Sequence, residues 1–135
     1  MQIDDLDYRA LAAFRRALRE AGIDDNAVPT ARGNFSFRSG VETTAKLLAL
    51  ANRPTALICA NDDMAVGALF TAHKLGLEVP KDLSVSGFDD TPVSEIIWPP
   101  LTTVHQPLKE IGARAVALVL DQINGTRSAT SPGSH

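Results

Sequence analysis

The stretch from Arg53 to Asp90, RPTALICANDDMAVGALFTAHKLGLEVPKDLSVSGFDD, leaves this chain few folds to choose from. Thr55, Ala56, Leu57, Ile58, Cys59 and Ala60 form an apolar run of strand length. The run does not alternate, the pattern of a strand covered on both faces. Asn61 and Asp62 break it, and either can cap a helix whose apolar positions are Ala65, Ala68, Leu69, Ala72 and Leu75. Gly76 stops that helix from the position just past its end. Leu83, Ser84, Val85 and Ser86 read as the next strand, and Gly87, Phe88, Asp89 and Asp90 follow it. Parallel strands joined by one helix cross over right-handedly, which brings both carboxyl ends to one edge of the sheet. Open α/β sheets bind ligands at that edge. The spacing therefore predicts Asn61, Asp62, Asp89 and Asp90 side by side on a binding edge.

The rest of the chain extends this pattern. Residues 1–25 predict an amphipathic helix with Leu6, Ala10, Ala13, Phe14, Ala17, Leu18 and Ala21 on its apolar face, and Arg15, Arg16, Arg19 and Glu20 on a solvated one. Asp4 or Asp5 is the expected cap, and Gly22 with Ile23 suits a Schellman ending. Residues 24–38 are turn-rich, with Ala27, Val28 and Pro29 read as a short strand and Phe35 and Phe37 in the loop after it. Ser39 and Glu42 have capping-box spacing and open a helix expected to bury Val41, Ala45, Leu48 and Leu50 or Ala51. Thr91 to Trp98 reads as a loop with one helical turn, and Pro99 and Pro100 start an extended segment, Leu101 to His105. Pro107 fits the first position of a last helix, with Leu108, Ile111, Ala115, Leu118, Val119 and Ile123 on one face and Asn124 and Gly125 at its end. Strands and helices alternate, which gives an α/β fold with a doubly wound parallel sheet.

Charge and composition narrow the function. The net charge of -3 leaves no basic footprint for nucleic acid. The one cysteine, Cys59, sits mid-strand without a neighbouring histidine and is expected to be a small buried hydrophobe, not a reactive thiol. Without a signal peptide or an apolar run of membrane-spanning length, the expected location is cytoplasmic. His73 and His105 stand apart, so no metal site is expected, and no cofactor motif is present.

Three blocks, RPTALICANDDMAVGAL, GLEVPKDLSVSGFDD and PPLTTVHQPLKEIGARAV, occur in an order and spacing that resemble the lactose-repressor (LacI/GalR) family of transcription regulators. They cover Arg53 to about Asn124, and a weaker similarity runs back through the first helix. The resemblance implies a lobe of the periplasmic-binding-protein type. On that pattern residues 1–100 are the C-terminal lobe of an effector domain, residues 101–124 are a crossover strand and helix belonging to the N-terminal lobe, and residues 125–135 are a disordered tail. It further implies that the DNA-binding headpiece and most of the N-terminal lobe lie outside this sequence, so that the chain is a fragment that does not bind operator DNA by itself. A homodimer is implied, with the 62–75 helix and the 91–98 segment in its contact.

The resemblance assigns site residues one at a time. Asn61 matches the asparagine that hydrogen-bonds effector hydroxyls, for which an amide both donates and accepts. Asp89 matches the ligand-binding aspartate, whose carboxylate accepts from vicinal hydroxyls of a sugar-like effector. Phe35 falls where an aromatic meets the ligand's apolar face, and Gln106 where a polar residue near the lobe crossing reaches it. The family arginine and glycine of the first helix are Ala10 and Ala13 here. Arg9 is one position off, roughly 100° around the helix. Either Arg9 substitutes from a shifted helix, or that contact is lost.

Each residue also has a local reading. Asn61 and Asp62 can simply cap a helix, Asp89 and Asp90 can be turn residues, Phe35 can be core, and Trp98 is expected to pack. Two other functions use the same pattern. One is a stand-alone periplasmic-type sugar-binding protein, against which the missing signal peptide counts. The other is a Mg²⁺-dependent receiver or enzyme using Asp62, Asp63, Asp89 and Asp90, against which the missing lysine, hydroxyl and phosphate loop count. The expectation is a non-enzymatic effector-binding module.

Overall fold

The computed structural model describes residues 3–125 and forms two compact units, one ending at Val104 and the other beginning at His105. In the first, α1 (Ile3–Glu20), α2 (Phe37–Leu48), β1 (Ala56–Ile58), α3 (Asp62–Lys74), β2 (Ser84–Ser86) and α4 (Val93–Ile96) follow in order. β1 and β2 pair in parallel, with Leu57 opposite Val85, and Thr102 adds an isolated parallel bridge to Ser86. The extended segment from Leu101 to Val104 thus runs beside the end of β2, where Gly87 N–H donates to Thr102 O and Asp89 N–H to Val104 O.

The core lies between this small sheet and α3. Leu57, Ala65, Ala68, Leu69, Ala72, Leu83, Val85 and Leu101 are buried there, with Leu48 reaching in from α2. Each leucine so enclosed contributes about 1.5–3 kcal/mol. Only one side of β1 is covered, contrary to its unbroken apolar run. Leu57 faces α3, whereas Ile58 is 68% exposed, because no described helix of this unit packs on the other side. A shallow cavity of about 270 Å³ lies along that open face, beside Ile58, Val79, Pro80, Pro99 and Pro100. Cys59 packs against the core as expected, and burial pushes its thiol up to about 11.

Several helix details differ from the sequence expectations. α2 begins at Phe37 with Ser36 as its cap, so Ser39 is already inside the helix and donates its N–H to Ser36 Oγ at 3.1 Å. Glu42 pairs with Arg38 instead of closing a capping box. The buried face of α2 is Ser39, Gly40, Thr44 and Leu48, while Ala45, Leu50 and Ala51 are exposed. The reason is a close crossing with α3. A Cβ on Gly40 would overlap the Met64 backbone, and one on Gly67 would overlap Phe37 O and lie 2.8 Å from Val41 N. Where two backbones touch, small residues face the neighbour and larger apolar ones turn aside. Phe37 and Phe70 flank the crossing edge-to-face, with centroids 5.7 Å apart.

α3 ends as expected, with Gly76 at φ 73° and Leu77 N–H bonded to Ala72 O, yet Leu75 lies past the core and is 53% exposed. α1 is already helical at Ile3, so Asp4 and Asp5 lie within it instead of capping it. Its Schellman ending forms, with Ile23 N–H donating to Leu18 O at 2.9 Å. Of the described side chains of α1 only Phe14, Arg15 and Leu18 are half-buried, and the others are exposed. Arg15 and Arg19 hold Asp25 of the following turn instead of facing solvent alone. Residues 27–29 follow a turn closed by the Ala27 N–H on Asp24 O and form no strand. Trp98 is 87% exposed and does not pack, because Ile97 is the residue of that segment that turns to the core.

The second unit, over its described residues, is α5 (Leu108–Ile123) with Pro107 just before it and Asn124 as its C-cap. The expected apolar face forms on the helix, but every α5 residue is exposed. The expected tail from residue 126 onward lies outside the described residues.

Candidate functional site

Past their carboxyl ends β1 and β2 lead into the two polar segments singled out by the sequence. The chain leaves β1 through Cys59, whose N–H extends the ladder to Ser86 O, and turns into α3 at Asn61. Asn61 is extended, at φ -151° and ψ 173°, and its Oδ1 accepts the Met64 N–H at 3.0 Å. The capping reading is therefore correct for Asn61, whereas Asp62 is already the first residue of α3. The amide does a second thing as well, since Nδ2 donates to Phe35 O at 2.8 Å.

Asp62 is fully buried and organises the edge. Its Oδ2 accepts from Thr91 N–H at 2.7 Å and Thr91 Oγ1 at 3.0 Å, and its Oδ1 from Thr103 Oγ1 at 2.6 Å. Hydrogen bonds to a charged group contribute about 1.5–3 kcal/mol each, and a buried carboxylate without them would be costly. Gly87 makes room, because a Cβ there would overlap Asp62 Oδ1. Asp62 thus ties α3 to the loop after β2 and to the 101–104 segment. Nothing in local sequence signals this, because capping and ligand binding ask for the same residue and the threonine partners are 29 and 41 positions away.

The loop after β2 is fixed at several points. Gly87 N–H donates to Thr102 O, Asp89 N–H to Val104 O, and Asp90 N–H to Thr103 Oγ1. Asp90 Oδ1 accepts from the buried Ser94 hydroxyl at 2.9 Å, anchoring α4. Asp89 and Asp90 have φ of 112° and 57°, a left-handed stretch that aspartate enters more readily than most residues. The Asp89 carboxyl is raised above its ordinary value, chiefly by loss of hydration and further by the negative charges of Asp62 and Asp63.

The structure thus joins Asn61 to Phe35 and brings Asp89 within electrostatic reach of Asp62 and Asp63. Phe35 itself is 38% exposed at φ 67°. Arg9 is an exposed residue of α1, and Gln106 belongs to the second unit. Asp62 spends both oxygens on N–H and O–H donors, which is the environment of an anion anchored by the protein, not of a cation ligand. Among the described residues no three His, Cys, Asp or Glu side chains are grouped to hold a metal ion, and no helix is long and apolar enough to cross a membrane.

Parallel strands joined through a helix, with polar groups gathered past their carboxyl ends, define an incomplete α/β lobe of the periplasmic-binding-protein type. The chain belongs to the periplasmic binding protein-like domain family, whose model matches residues 2–133. The implied LacI/GalR resemblance is borne out by relatives and structures alike. The transcriptional repressor CytR of Escherichia coli K12 is 46% identical over 118 residues, which are 87% of this chain and 34% of the repressor. A LacI-family regulatory protein from Chloroflexus aggregans superposes with a TM-score of 0.79 at 34% identity, over 86% of this chain and 42% of that one. A LacI-family regulator from Enterococcus faecium with bound ribose gives 0.75 at 33% identity, over 82% of this chain and 41% of that one. The chain spans about a third of the length of the curated relatives it matches.

Proposed function

We propose that this chain is the effector-binding part of a LacI-type transcriptional repressor. It takes a small polyhydroxylated molecule of the carbohydrate class at the strand-end edge, catalyses nothing, works in the cytoplasm as a homodimer, and meets operator DNA through a headpiece outside these residues. In this reading Asn61 and Asp89 bind effector hydroxyls and Phe35 faces its apolar side, while Gln106 and Arg9 carry their roles from the sequence resemblance alone. The observation that carries it is Asp89, held left-handed at the edge by a loop pinned to buried Asp62, within reach of the Asn61 segment. A carboxylate and an amide on one edge are the pair that vicinal hydroxyls require. The ribose bound to the Enterococcus faecium regulator supports a sugar as the effector class. The exposed Phe70, Ile96 and Trp98, on α3 and the 91–98 segment, support a dimer contact there.

The test is to follow backbone amide NMR shifts while titrating a panel of mono- and disaccharides, ribose included. At least one sugar is expected to shift the Asn61 and Asp89 signals, and Asp89→Asn to weaken that binding about tenfold or more through loss of the charge-assisted bond. A panel that leaves both signals unmoved would sink the effector reading.

A further inference from the structure

Asn61 does more than begin a helix, because its amide reaches a loop 26 positions away in sequence. That loop carries Phe35 at φ 67°, where a residue with a Cβ is disfavoured and an aromatic ring brings no short polar group to compensate. Local bonds close the loop on itself. Asn34 Oδ1 accepts from the Ser36 N–H at 3.1 Å and from the Ser36 hydroxyl, and the Asn34 N–H donates to Ser39 Oγ at 3.0 Å. The Phe35 carbonyl is left to Asn61, whose Nδ2 meets it at 2.8 Å.

The choice of residue fits this double task. Serine or aspartate caps a helix as well as asparagine does, so the Met64 bond alone does not call for an amide. Only a side chain with an acceptor and an N–H donor at this reach can cap Met64 and hold Phe35 together. Cap and tether use one lone pair and one N–H, and the amide keeps one of each. We propose that Asn61 is the positioning residue for Phe35: its N–H fixes the left-handed backbone of Phe35 and so sets where the ring stands beside the effector edge. The proposal rests on the effector reading above and deepens it, since Asn61 then shapes the apolar wall of the site and does not only touch the ligand.

Arg32 and Arg38 flank the loop and are exposed, so trypsin reports on it in the full chain without any ligand. Asn61→Asp and Asn61→Ser keep the cap and remove the donor. Both are expected to raise cleavage after Arg32 or Arg38 about tenfold, the factor matching the cost of an untethered left-handed residue. Adding Phe35→Asn to Asn61→Ser is expected to return cleavage toward the wild-type rate, because asparagine tolerates φ 67° without the tether. General loosening of α3 would not be reversed in this way. Unchanged cleavage in both single variants overturns the proposal, as does a rise that Phe35→Asn fails to reverse. The effector reading stands or falls separately, on the sugar titration.

Discussion

Asp89 works against the fold that presents it. Loss of hydration and the charges of Asp62 and Asp63 raise its pKa, so the folded chain holds that proton more tightly than the unfolded one. The sign follows directly: stability falls as pH rises through the window between the ordinary and the raised value, and recovers as pH drops back through it. Asp89→Asn removes the charge and keeps a side chain suited to a left-handed backbone. At pH 7 it is expected to raise Tm, by less than about 1 kcal/mol in stability because the group is partly exposed and screened. The gain should vanish as pH falls below the ordinary carboxylate range, and a lower Tm than wild type at pH 7 would contradict it. The same substitution is expected to weaken sugar binding in the titration above, so the two measurements are predicted to move in opposite directions at one carboxylate. The sequence marked Asn61, Asp62, Asp89 and Asp90 as neighbours, and it could do so because strand-helix-strand order alone aligns the two strand ends. It could not reveal that Asp62 is spent on Thr91 and Thr103, because those bonds depend on three segments meeting in space.

At the scale of elements, periodicity served α3 well and α2 only in part, where Leu48 is buried as expected while Ala45, Leu50 and Ala51 are not. The alanines and Leu69 of α3 repeat at helical spacing and do face the core. On α2 the contact is made by Ser39, Gly40 and Thr44, which a count of apolar residues assigns to the outside. Their smallness, not their hydrophobicity, is what the α3 backbone requires. Gly67→Ala is accordingly expected to cost roughly 1–3 kcal/mol, as the new methyl forces the helices apart. Gly112→Ala, on exposed α5 where the added Cβ meets no other part of the chain, is expected to stabilise by about 0.5–1 kcal/mol through helix propensity. Urea unfolding of both variants checks the pair, and equal effects would disprove a close α2–α3 crossing. Strand ends were harder to read for a related reason. A run such as TALICA is apolar in sequence whether or not both its faces are covered, and coverage is decided by elements elsewhere in the chain.

At the scale of the whole molecule, the described residues expose much apolar surface. Along α5, Leu108, Ile111, Leu118, Val119 and Ile123 are each at least half exposed, a composition found on helices that are buried in a finished assembly. The chain at tens of micromolar is expected to self-associate in sedimentation velocity, and Ile111→Lys with Val119→Lys to shift it toward the monomer. A wild-type chain that stays monomeric at that concentration would argue against an adhesive α5. The Gly40–Gly67 crossing has the opposite character. Its two surfaces are main chain on main chain, with no rotamers between them to yield. Phe35 immediately precedes the capped start of α2, and Asn61 caps α3. The two helices that start behind these residues are therefore locked to each other close to their first turns, so that a shift of the Asn61 end of α3 carries the Phe35 end of α2 with it.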